Sequence, residues 1–110
     1  MKKIDLKPYK IKLLNREGQP VEVDYSIKES IVNLLLSPEL KLNGRDLLLA
    51  HKLASKVEDY DKESILLETI EYDKIVKAVD TFKGFGKNDV EFCRRILEAE
   101  SVDPNTEVKT

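Results

Sequence analysis

The chain has 110 residues, 41% of them apolar and 36% charged, with 19 basic and 21 acidic side chains giving a formal charge of −2. A chain of this size forms one domain around one core, and no apolar run approaches the roughly 18 residues of a membrane span. One cysteine and one histidine exclude an internal disulfide and a Cys/His zinc site made from this chain alone.

Lys2 and Lys3 resemble the charged start of a signal peptide, but Asp5, Lys7, Lys10 and Lys12 occupy the place of its apolar segment, so a cytoplasmic protein is expected. Tyr9, Ile11 and Leu13 alternate with Lys10 and Lys12, and Val21, Val23 and Tyr25 alternate with Glu22 and Asp24. Period two on both sides of Asn15–Pro20 predicts a β-hairpin with an apolar face, lysines on one strand and acids on the other. A lone hairpin is marginal in water, so a third strand or a helix must lie beneath it. Ser26-Ile27-Lys28-Glu29 has the capping-box pattern. Ile27, Ile31, Leu34 and Leu35 then recur at helical spacing until Ser37-Pro38, where the residue before proline leaves the helical region.

Asn43-Gly44 is a turn or cap signal, and a second helix is predicted from Arg45 to about Val57. Its inner face is Leu49, Ala50, Leu53, Ala54 and Val57, while Leu47 and Leu48 widen the apolar arc beyond one packing partner. The acidic run Glu58–Glu63 reads as a loop, and Ser64–Leu67 as a short strand whose natural neighbour is the hairpin. A third helix is expected with Thr69 as its cap and Tyr72, Ile75, Val76, Val79 and Phe82 as its stripe, ending at a left-handed Gly84. Gly84-Phe85-Gly86 makes a corner, and Asn88 opens a last helix with Val90, Cys93, Ile96 and Leu97 facing inward. Residues 1–100 thus read as one α+β domain, an N-terminal β-hairpin plus a third short strand packed on about four helices. Residues 101–110 read as a flexible acidic tail.

Gly84-Phe85-Gly86-Lys87 lacks the glycine spacing, the hydroxyl residue and the preceding strand of a phosphate loop. Glu58, Asp59, Asp61 and Glu63 lack the ligand spacing and central glycine of a calcium loop. His51 has no serine and carboxylate placed with it, and Cys93 falls on a predicted buried face. These patterns imply no cofactor, no metal and no enzyme. Lys83, Lys87, Arg94 and Arg95 give the last two helices the outline of a helix-turn-helix, but Asp89, Glu91, Glu98 and Glu100 would meet phosphates badly. The lysines of residues 1–12 are the alternative contributors to nucleic-acid binding. Their charge is opposite to that of the acidic run at 58–63, which favours head-to-tail contacts, although a mixed solvated surface accounts for it as simply. Tyrosine anchors protein interfaces and also packs at sheet surfaces. Leu47, Leu48, Tyr9 and Tyr25 are accordingly the candidate protein-interface residues.

The stretches SIVNLLLSPELKLNGRDLLLAHKLASKV and VDTFKGFGKNDVEFCRRILEA resemble small uncharacterised proteins encoded by bacteriophages and prophages. That resemblance implies a small accessory protein that binds another protein during assembly or host takeover, and it carries over no catalytic residue. The expected function is a non-enzymatic protein–protein interaction module, self-associating, with a nucleic-acid-binding regulator as the alternative.

Overall fold

In the computed structural model, which describes residues 1–102, the first element is a strand, β1 (Lys2–Asp5). It is the middle strand of a three-stranded antiparallel sheet, between β4 (Ser64–Leu67) and β5 (Glu100–Ser101). Ile4 sits opposite Ile65 and Lys2 opposite Leu67, and Ile4, Ile65 and Leu67 are fully buried. Period-two patterning did not single out β1, because its other inward position is a lysine. Lys2 lays its stem along the core face and carries its ammonium 5.3 Å from the centre of the Tyr72 ring. So the strand at Ser64–Leu67 forms as expected, but its neighbour is β1 and not the hairpin. At the far edge the Met1 ammonium donates to the Val102 carbonyl at 3.2 Å and the Val102 N–H to the Met1 carbonyl at 2.8 Å. Residues 101 and 102 are therefore paired rather than frayed, and the rest of the expected tail lies outside the described residues.

The hairpin is a separate two-stranded ribbon of β2 (Tyr9–Leu14) and β3 (Pro20–Tyr25). Its register pairs Tyr9 with Tyr25, Ile11 with Val23 and Leu13 with Val21 on one face. Lys10 faces Asp24 and Lys12 faces Glu22 on the other, and the Lys10 ammonium lies 2.6 Å from Asp24. The Asn15 side chain fixes the turn by accepting from the Glu17 and Gln19 N–H groups, each at 2.9 Å. Gly18, at φ +78°, supplies the left-handed residue that such a turn requires.

Of the four helices, the last two pack on the three-stranded sheet, the first packs on the third, and the second packs on the first. Helix α1 (Ile27–Leu35) buries Ile27, Ile31, Leu34 and Leu35. Ser26 caps it by accepting from the Glu29 N–H at 3.2 Å. After a 3-10 turn at Pro38–Leu40, Asn43 caps α2 (Gly44–Asp59) by accepting from the Asp46 N–H at 2.8 Å. Ala50, Leu53, Ala54 and Val57 are its buried row, whereas Leu49 keeps 40% of its surface exposed and so is not part of the inner face. The acidic run begins inside the last turn of α2, since the helix continues through Asp59.

Helix α3 (Thr69–Thr81) is capped by Glu68, not Thr69. The Glu71 side chain accepts from the Glu68 N–H at 2.9 Å, while the Glu68 side chain makes no cap bond of its own. Tyr72, Ile75, Ala78 and Val79 are buried. The helix stops at Thr81 because Phe82 turns extended (φ −68°, ψ 134°), so Gly84 lies beyond the cap position assigned to it. At φ +145°, Gly84 instead turns the connection back, setting the rings of Phe82 and Phe85 4.9 Å apart over the core.

A 3-10 turn at Lys87–Asp89 leads into α4 (Val90–Leu97). Asn88 therefore sits inside the turn instead of capping the helix, and Asp89 accepts from the Gly86 N–H at 2.8 Å. Helix α4 buries Phe92 and Ile96 and leaves Val90 65% and Leu97 46% exposed. That rotates the expected inner face by about a residue, since Phe92 has the most apolar area to remove from water and sets the phase of a short helix.

Candidate functional site

The two candidate interface tyrosines are the joint between ribbon and helices. Their rings stack with centres 4.7 Å apart, and Tyr25 meets Phe92 at 6.0 Å. The Tyr9 hydroxyl donates to the Asn88 carbonyl at 2.6 Å, and the Tyr25 hydroxyl donates to Asp89 at 2.5 Å. Asp89 thus holds the corner glycine with one oxygen and the ribbon with the other. Burial, then the bond to Asp89, pushes the Tyr25 hydroxyl well above the ordinary tyrosine range. Burial raises Tyr9 as well. Both therefore stay protonated donors at neutral pH. Tyr9 and Tyr25 are half-buried and already use their hydroxyls within the chain, so they position a surface instead of forming one.

The surface they position is the outer part of the ribbon. Beyond the tyrosine pair the same face continues through Ile11 and Val23 to Leu13 and Val21, which are 47% and 39% exposed; Leu14, on the opposite face, is 73% exposed. This row is visible in the sequence as alternation. Alternation names a face but not its cover, so the row read there as inward.

Leu47 and Leu48, 44% and 67% exposed, stand on the first two turns of α2, where every residue from Gly44 to Leu49 is exposed. The helix runs past the core at that end. The widened apolar arc of the sequence is therefore an unpartnered surface in this chain.

The candidate nucleic-acid residues divide into two pairs. Arg94 donates to Glu91 through Nε and Nη2 at 2.9 and 2.6 Å. Arg95 donates from Nε to Glu91 at 2.7 Å and from Nη1 to the Lys7 carbonyl, lies 3.8 Å from Asp5, and sits over the Tyr9 ring. The bonds from Arg94, then those from Arg95, hold the Glu91 carboxyl below the usual carboxylate range. These guanidiniums tie α4 to itself and to the link between β1 and β2. Lys83 and Lys87 are exposed and make no ion pair among the described residues.

No family model, curated protein or solved structure matches this chain.

Among the described residues no three His, Cys, Asp or Glu side chains gather closely enough to hold a metal ion. Cys93 is half-buried, and burial, followed by the nearby Asp89 charge, raises its thiol, which works against thiolate chemistry. His51 is exposed on α2. None of the described helices is long and apolar enough to cross a membrane.

Proposed function

We propose that the chain is a non-enzymatic interaction module that associates with copies of itself through the apolar face of its ribbon. The observation that carries this reading is the exposed row of Leu13 and Val21 on a two-stranded ribbon that shares no sheet with the rest of the fold. Two strands alone are marginal in water. A second ribbon laid against that face would cover Ile11, Leu13, Val21 and Val23 and leave the Lys10–Asp24 side of both copies in solvent. The occupant is thus a second copy, whose face offers the same aliphatic row. The exposed leucines at the start of α2 are a second apolar contact. An accessory or assembly role of the kind implied by the likeness to phage proteins suits such a module.

Gel filtration with in-line light scattering tests it. The native chain is expected to run as a dimer or larger, and the double variant Leu13→Asp, Val21→Asn as a monomer with an unchanged circular dichroism spectrum. A native chain that stays monomeric at high concentration removes the proposal.

A further inference from the structure

A second surface, built from other elements, has a different chemistry. Where α1 ends, the link to α2 passes over α3 and leaves an open groove of ≈ 380 Å³, a volume at the small end of ligand-binding clefts. Its apolar lining is Leu35, Leu40, Leu42, Ala50 and Ala78, and the two alanines, one from each helix, let an occupant approach closely. Three lysines also line it: Lys41 from the link, and Lys74 and Lys77 one turn apart on α3. Against them the groove holds a single acid, Asp46. None of the three lysines forms an ion pair among the described residues, although acids elsewhere on the molecule are paired with lysine or arginine. Lys41 is the only described non-glycine residue at positive φ (54°), a backbone state that must be held by its surroundings.

An apolar trough with a net positive rim selects an occupant that is apolar and anionic at once. Its extension decides between a small amphiphile and a protein segment. Leu47, one turn along from Asn43, continues the row of α2 that lines the groove and keeps 44% of its surface exposed. A single alkyl carboxylate fits the trough without covering this leucine. An amphipathic helix covers it, placing anchors at i and i+4 in the trough and a further apolar residue on Leu47.

We propose that this groove binds an acidic amphipathic helix of a partner protein, with its carboxylates against Lys41, Lys74 and Lys77. The site shares no residue with the ribbon face, although Leu47 at its edge is also among the leucines offered above for self-association.

Fluorescence anisotropy with the full chain tests this, using a panel of short labelled helical peptides with leucines at i, i+3, i+4 and i+7 flanked by glutamates. Micromolar binding that weakens as salt is added is expected. Three partly exposed ion pairs together make a difference of about tenfold, so replacing the peptide's glutamates by glutamine weakens binding by about that factor, and the triple variant Lys41→Glu, Lys74→Glu, Lys77→Glu, which turns attraction into repulsion, weakens it more. The glutamine peptides act on the unaltered chain and keep the test valid if the triple variant folds poorly. The Leu13→Asp, Val21→Asn chain binds the peptides unchanged. The proposal is overturned if no panel member binds at millimolar concentration, or if the glutamine peptides bind as well. Loss of binding in the ribbon variant overturns it too, since the peptide is then using the ribbon. Displacement by dodecanoate, with the same dependence on the three lysines, assigns the groove to a free alkyl carboxylate instead.

Discussion

At the scale of single residues, a few side chains on α4 and the turn before it join parts of the fold that are far apart in the sequence. Phe92 fills the core, Asp89 receives the ribbon's Tyr25, and Glu91 gathers two arginines, one of which reaches the Lys7 carbonyl. Glu91 gives this joint a pH dependence. Its carboxyl is held below the ordinary range, so it contributes stability above the unfolded-state value, about 4.3 for glutamate, and loses it as the pH falls below that. Urea unfolding between about pH 6 and pH 3 should therefore show a smaller loss of midpoint on acidification for Glu91→Gln than for the native chain. Equal slopes for the two would mean that the arginine pairs are screened to nothing in solution.

At the scale of elements, the turn between α3 and α4 shows how glycines close in sequence differ in what they do. Gly84 sits at φ +145°, and a methyl group built there would lie 3.3 Å from the Phe82 ring. Gly86 is extended, and its nearest obstacle is an Asp89 oxygen at 4.0 Å. Gly84→Ala is expected to cost about 1–2 kcal/mol of unfolding free energy by forcing a side chain into an unfavourable backbone region. Gly86→Ala should cost a few tenths at most, and calorimetry or denaturant titration separates the two. Equal costs would show that the corner does not depend on the backbone state of Gly84. The sequence marked this corner by two glycines and a phenylalanine, and the helix, corner and helix are all present. It named Gly84 as the left-handed residue but placed it at the end of α3, which stops three residues earlier, at Thr81.

At the scale of the whole molecule, the fold has a firm part and a projecting part. In the firm part β1 is flanked by β4 and β5 and covered by helices, and Ile4 and Ile65 have no exposed surface. The ribbon is tied to that body through the hydroxyls of Tyr9 and Tyr25, and its far end is exposed on both faces. Amide hydrogen exchange should rank these accordingly. The Ile4 and Ile65 amides are expected to open only with global unfolding, and those of Leu13 and Val21 many-fold faster in dilute solution, where copies are apart. Protection of the ribbon equal to that of β1 under those conditions would show that the ribbon is held by more than its tyrosine base.

The sequence by itself determined the local grammar: two alternating strands and their turn, four amphipathic helices, the short strand at Ser64–Leu67, and the breaks at Pro38 and Gly84. These follow from periodicity and from residues whose backbone preferences act over a few positions. Tertiary structure alone decided that Lys2–Asp5 is the central strand, that α4 turns Phe92 inward, and that Arg95 reaches the Lys7 carbonyl. It also decided that Tyr9 and Tyr25 close a joint while Leu13, Val21, Leu47 and Leu48 stay uncovered. Each of these depends on which element lies across from another. A short strand with lysines at two of its four positions, or a helix of eight residues, carries too little pattern to reveal its neighbour, and the neighbour decides what is buried.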